Sequence, residues 1–411
     1  MKTQKLKIVI IDDQPERSKG WARQIQGIVG ERAEVLALEL EDVRTAVKAV
    51  FNRRKEAANG FSVVEELHTK SLFDDVDVLV LDFDLRNMDT GDSHDWTTGT
   101  EVAVAARAFT KVKFIMLVNS LGANRFDLDM SKASQSKADL DIGGAQIDNP
   151  GLWRTENFEQ YRPWFWPPVL DWSQKFERAV NWVQENYDKP IMPILGLNTG
   201  DASYEESINK ELWIELNIDP QKGTFRDLVK LTQYLPPRDK EALENSVSQS
   251  ARVAAAILLS WLEKLIIPSQ ETLIDAPHLA YLMPWLLLDP KDIDCWNATA
   301  NLLDPFAAFK PEVSNYRYSE LLTSRPVFYR RKIESDPKLG EPEGFNYNEL
   351  PDLVFSEDLS QFIEFEFAKP YPCGLKCADD QRYVADHVKL PSSDVHKIAD
   401  VSYEPAAKFA L

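Results

Sequence analysis

A chain of 411 residues, 44% hydrophobic and 10% aromatic, is long enough for two or three domains and too rich in Leu, Ile, Val and Phe for extended disorder. A formal charge of -19 excludes sequence-independent binding to DNA or RNA, which rests on cationic contacts to phosphates. Cysteines are few and odd in number (Cys295, Cys373, Cys377), which excludes a disulfide framework and points to a reducing compartment.

The N-terminal MKTQKLKIVIIDDQ reaches two aspartates after an apolar run too short for a signal peptide. KLKIVII (5–11) is β-branched and predicts a buried strand ending at Asp12 and Asp13. PERSKGWARQIQGIV follows with helical spacing of Trp21, Ile25 and Ile28, and Pro15 suits a helix start. AEVLALEL predicts a second strand, and Val43 to Lys70 one helix or two. Then come a strand at 76–81, a polar loop at 86–98, a helix from Gly99 to Phe109, the strand KFIMLVNS and a short strand within SKADLDIGG. DWSQKFERAVNWVQENY predicts a helix with Phe176, Val180 and Val183 on one stripe. Alternating strands and helices imply an α/β fold with a doubly wound parallel sheet.

Beyond DKPIMPILGLN (188–198) helices dominate the pattern. One long stripe over 239–266 is expected to stop at Pro268, and FIEFEF (362–367) alternates with Ile363, Phe365 and Phe367 on one face. The expected organisation is therefore an α/β domain over 1–190 and a mainly helical domain over 191–411. No run approaches the ~20 apolar residues of a membrane span. The chain is thus expected to be soluble and cytoplasmic, with no membrane partner. The basic, aromatic RPVFYRRK (325–332) reads as a solvated turn, with contact to an acidic surface as the alternative. The tryptophans at 153, 164, 166, 172 and 182 read as internal packing, with a partner surface as the alternative.

Asp12 and Asp13 end the first strand and Asp82 a later one. Ligands of open α/β sheets bind at the carboxyl ends of the strands, so neighbouring strands would bring three carboxylates into one pocket. Unpaired carboxylates repel one another and call for a cation. Hard oxygen donors with no His or Cys nearby point to Mg2+, beside which a carboxylate can be a nucleophile towards a phosphoryl group. The plainer reading makes Asp12 and Asp13 helix caps and Asp82 a turn residue.

KIVIIDDQ, DVLVLDFDL, Gly99 opening a helix, and FIMLVNS resemble, in order, the receiver domain of two-component response regulators over roughly residues 5–187. The resemblance implies a flavodoxin-like fold, Asp12 and Asp13 as the metal-binding pair, Asp82 as the phosphoacceptor and Asp84 as a backbone ligand to Mg2+. The hydroxyl of the fourth strand falls on Ser120 or, by strand alignment, on Asn119. It further implies a histidine-kinase-type kinase or ATPase as partner, with the C-terminal domain passing the change to another protein. The sequence departs from the family in the insertion NMDTGDSHDWTT before Gly99. It also lacks a Lys-Pro on the fifth strand, where ADLDIGGAQ has none. A pseudo-receiver that never accepts a phosphoryl group is the alternative. LDFDL is also similar to the first motif of haloacid-dehalogenase-type phosphatases, with Asp82, Asp84 and Ser120 in its roles. Against this, Leu85-Arg86 stands where Gly-Thr should follow, and the acid pair precedes the nucleophile. Phosphate loops of the GxxxxGK[ST] kind and GxSxG elbows are absent.

Overall fold

The computed structural model describes residues 5–59, 69–85, 98–119, 126–127, 138–144, 147–148, 150–153, 169–197, 219, 222–232, 235–244, 246–300, 314–318, 322–323, 325–357, 359–370, 376–377, 382–386 and 401–403. The chain divides into two compact units. One comprises Met1–Arg125, Lys132–Thr155 and Pro167–Ser260; the other comprises Phe126–Ser131, Glu156–Trp166 and Trp261–Leu411.

The first unit is built on strands β1 (Leu6–Ile11), β2 (Ala33–Ala37), β3 (Val78–Asp82), β4 (Phe114–Asn119) and β5 (Leu140–Gly143). They pair in parallel in the order β2-β1-β3-β4-β5, which fits a doubly wound α/β sheet. Ile8 to Ile11 and Val78 to Leu81 are fully buried, because a parallel sheet is covered on both faces and its central strands become continuous apolar runs.

The connecting helices are α1 (Pro15–Val29), α2 (Leu40–Ala58) and α3 (Gly99–Phe109), followed later by α4 (Val169–Glu185). Right-handed crossovers from β1 to β2 and from β2 back past β1 to β3 travel in opposite directions, which places α1 opposite α2 and α3. Accordingly α2 packs on α3, and α1 packs on the short turn Pro150–Trp153. Trp153 and Trp172 are buried within this unit, Trp153 Nε1 donating to Ile147 O at 2.8 Å, as the packing interpretation expects; Trp164 and Trp166 lie outside the described residues.

The unit does not end near 190. It takes in α5 (Phe225–Leu231), α6 (Pro237–Leu243) and most of α7 (Val247–Trp261). Buried Asp239 of α6 pairs with Arg54 of α2. Gln249 Nε2 donates to Arg107 O and Thr110 O, both at 3.0 Å. Arg252 donates to Lys111 O and Val112 O, both at 2.8 Å, and pairs with Glu177 of α4. These side chains satisfy backbone carbonyls of the α3–β4 turn, which ties the helices to the sheet domain.

The stripe expected over 239–266 is divided between two helices, α6 ending at Leu243 and α7 beginning at Val247. Pro268 does not stop the helix: a wider π-helical turn, Leu262–Ile266, passes into Ile267–Ser269, and Gln270 ends it with a left-handed φ of 54°.

Among its described residues the second unit mixes strands with helices. It contains the antiparallel pair β6 (Leu273–Asp275) and β7 (Val327–Tyr329), helices α8 (Ala276–Leu282), α9 (Ile293–Ala300) and α10 (Arg330–Ser335), and a sheet of β8 (Leu353–Ser356), β9 (Gln361–Glu364), β10 (Ala368–Pro370) and β11 (Tyr383–Ala385). The sheet order is β9-β8-β11-β10. RPVFYRRK is thus strand and helix rather than a solvated turn, and Val327 and Phe328 are fully buried. Phe362 is also fully buried, its ring centroid 5.2 Å from those of Trp296 and Phe355, whereas Phe367 is exposed. The strand gives way to a 3-10 turn at Phe365, so the alternation expected over 362–367 stops there, with Ile363 and Phe365 partly buried against the core and Phe367 turned away. Among the described residues no helix is long and apolar enough to cross a membrane.

Candidate functional site

The parallel register places Ile11 beside Leu81, so Asp12 leaves β1 at the level where Asp82 closes β3. Carboxylate oxygens of Asp12, Asp13 and Asp82 lie within 4.8 Å of one another. Asp12 and Asp82 are 0% exposed and Asp13 8%. The sequence-predicted acid pair and Asp82 therefore meet in one place, at the carboxyl edge of the sheet.

Gly99 holds the exit of β3 close. A Cβ built on it would lie 2.1 Å from the Asp82 carbonyl oxygen, so only glycine lets α3 start there. Phe83 N–H donates to Val118 O at 2.8 Å and Gly99 N–H to Phe83 O at 2.9 Å, which fixes the turn. Thr98 caps α3, its hydroxyl accepting from Glu101 N–H while the Glu101 carboxylate accepts from Thr98 N–H.

Arg17 crosses the mouth of the acidic cluster. Its Nε donates to Asp12 Oδ2 and its Nη2 to both Asp12 Oδ1, at 2.8 Å, and Asp82 Oδ2; Asp13 Oδ1 lies 3.7 Å away. Gln14 N–H donates a further bond to Asp12 Oδ1 at 2.7 Å. The other oxygen of Asp82, Oδ1, is buried and has no hydrogen-bond partner. One guanidinium thus faces three carboxylates. Burial, then repulsion from Asp12, pushes the Asp82 carboxyl up to about 7 in spite of Arg17. Asp12 is also raised, by burial above all, with Arg17 and the Gln14 amide pulling the other way. Arg17 is held above the ordinary arginine range by its bond to Asp12.

The remaining candidates are placed as follows. Asn119 ends β4 opposite Gly143, one residue beyond Val118, the register neighbour of Asp82. Asp84 forms an isolated antiparallel bridge with Thr98 and adds to the negative field at Asp82. Ser120 and the insertion up to residue 97 lie outside the described residues. No lysine occurs in β5 or just after it.

Sequence reasoning missed Arg17. The available signal was its place in the first turn of α1, four residues after Asp13, where i,i+4 side chains meet. The donor set suits a hard divalent ion: among the described residues, three carboxylates without nitrogen or sulfur, and one buried oxygen with no hydrogen-bond partner. In comparison with family models, curated proteins and solved structures, nothing matches this chain.

Proposed function

We propose that this chain is a signalling protein whose first unit works as a receiver, accepting a phosphoryl group on Asp82. The observation that carries this reading is the bare, buried Oδ1 of Asp82, set beside the Asp12–Asp13 pair at the carboxyl edge of the sheet. The strand order β2-β1-β3-β4-β5 supports it, since it is the flavodoxin-like order that receiver domains share.

In the proposed step Asp82 Oδ1 attacks the phosphorus of a phosphohistidine on a kinase or ATPase of the histidine-kinase type. The P–N bond breaks, its electron pair leaves on the imidazole nitrogen, and an acyl phosphate forms. Mg2+ held by Asp12, Asp13, Asp82 and the Asp84 carbonyl would supply the positive charge that shields the incoming oxygens from the carboxylates. Asn119 ends β4, where its amide would meet a phosphoryl oxygen; Ser120, the next residue in the sequence, is the hydroxyl alternative. The new charge, about -1.5 to -2 for phosphorylated side chains, would alter how the rest of the chain binds another protein.

The test is intact mass of the full chain after incubation with Mg2+ and acetyl phosphate, beside Asp82→Asn. One phosphoryl adduct is expected, absent from the variant and absent without Mg2+. A specific observation favours a second reading, the pseudo-receiver: Arg17 already bridges Asp12 and Asp82, and no basic residue occupies β5. No adduct from any donor, together with no Mg2+ binding, would select it.

A further inference from the structure

We infer that Arg17 and a divalent cation compete for the same carboxylate oxygens, so that the guanidinium is a built-in gate on metal entry. The inference rests on the metal site proposed above and deepens it. Arg17 engages both oxygens of Asp12 and one of Asp82, and stands 3.7 Å from Asp13. These belong to the three residues whose oxygens cluster tightly enough to ligate an ion. Mg2+ demands oxygens at about 2.0–2.1 Å in near-octahedral array, which a guanidinium hydrogen-bonded to the same atoms does not permit. Like charges at that separation also repel.

The guanidinium sits on the solvent side of the cluster and already borders an indole. Its side chain is 24% exposed while the carboxylates of Asp12 and Asp82 are 0% exposed. The indole of Trp21, one turn further along α1, lies 5.4 Å from its central carbon, within range for a cation–π contact. Arginine is suited to the role because its planar fork grips a carboxylate with two parallel bonds, whereas a lysine would offer a single point charge.

The experiment is calorimetric titration of the full chain with MgCl2, wild type beside Arg17→Met and Arg17→Lys, with thermal unfolding in the presence and absence of MgCl2 as a second readout. Arg17→Met is expected to bind Mg2+ about tenfold more tightly than wild type, equivalent to about 1.4 kcal/mol of released competition. Arg17→Lys should fall between the two, and the melting temperature of each variant should rise more with Mg2+ than that of wild type. If Arg17→Met is folded only when Mg2+ is present, that also supports the exchange. Equal or weaker Mg2+ binding by both folded variants overturns it. Should wild type still form the acyl phosphate in that case, the inference alone fails and the receiver reading stands. If neither wild type nor the variants bind Mg2+, the metal site and the gate fail together.

Discussion

Each unit buries a cluster of ionised side chains, and the two are built on opposite principles. In the second unit Glu263, Asp275 and Glu357 meet Arg325, Arg382 and His278. Arg325 bonds Asp275 Oδ2 at 2.7 Å and Glu263 Oε2 at 3.1 Å, Arg382 pairs with Glu357 and approaches Asp275 to 3.7 Å, and His278 Nδ1 lies 2.5 Å from Asp275 Oδ1. Burial alone would raise the Asp275 carboxyl, yet His278, Arg325 and Arg382 hold it well below the usual carboxylate range. In the first unit Arg17 faces three carboxylates, and burial and the neighbouring carboxylates push Asp82 up to about 7. In the second unit each carboxylate of the cluster meets at least one cationic side chain. A carboxyl raised by burial and by its carboxylate neighbours in spite of an arginine keeps a costly imbalance, and such imbalances mark sites that do chemistry.

The contrast can be broken hardest on the balanced side. Asp275→Asn leaves Arg325 and Arg382 buried without their shared carboxylate, and is expected to cost about 3–5 kcal/mol in urea unfolding. On the unbalanced side the equivalent change should have the opposite sign. The folded state holds the Asp82 proton more tightly than the unfolded chain, so this group's contribution to stability falls as pH rises from the ordinary aspartate value of 3.8 to about 7. Asp82→Asn removes that loss, and in metal-free buffer above neutrality it should stabilise the chain by about 2–4 kcal/mol. Unfolding curves at acid and neutral pH check both sign and slope; destabilisation by Asp82→Asn at neutral pH would count against an unbalanced cluster. A smaller effect should sharpen the comparison without altering any charge. Gly99→Ala drives a methyl into the Asp82 carbonyl and should cost about 1–3 kcal/mol by overpacking. Because it displaces the Asp82 backbone, it should also weaken Mg2+ binding, which calorimetry reads directly.

The unbalanced cluster was largely legible in the sequence, and the balanced one was not. IVII (8–11) and VLVL (78–81) announce buried parallel strands because every residue in them is apolar, and carboxylates at the ends of such runs can only lie at the sheet edge. Gly99 was readable as a helix start, although its reason, the approach to the Asp82 carbonyl, is a tertiary contact. Arg17 escaped because periodicity tells where a side chain starts and not where a long one ends. In the second unit Glu263, Asp275, Arg325, Glu357 and Arg382 come from separate elements, and strands of three or four residues carry too little alternation to be told from loops. The extent of the first unit was hidden for a related reason. The composition turns helical near 190, but what holds α7 in place is the hydrogen bonding of Gln249 and Arg252 to carbonyls more than a hundred residues earlier.

That grip has a practical consequence. A fragment ended at residue 190, where the composition changes, would carry every acidic residue of the site and yet be a damaged protein. It would lose the donors that Gln249 and Arg252 supply to four carbonyls before β4, and Asp239, the partner of Arg54. It would also bare the apolar surface that α6 and α7 bury through Leu243, Ala251, Ala254 and Leu258. A piece meant to hold the first unit has to run at least to Ser260, and poor solubility of a shorter one would report on the missing helices, not on the chemistry of Asp82.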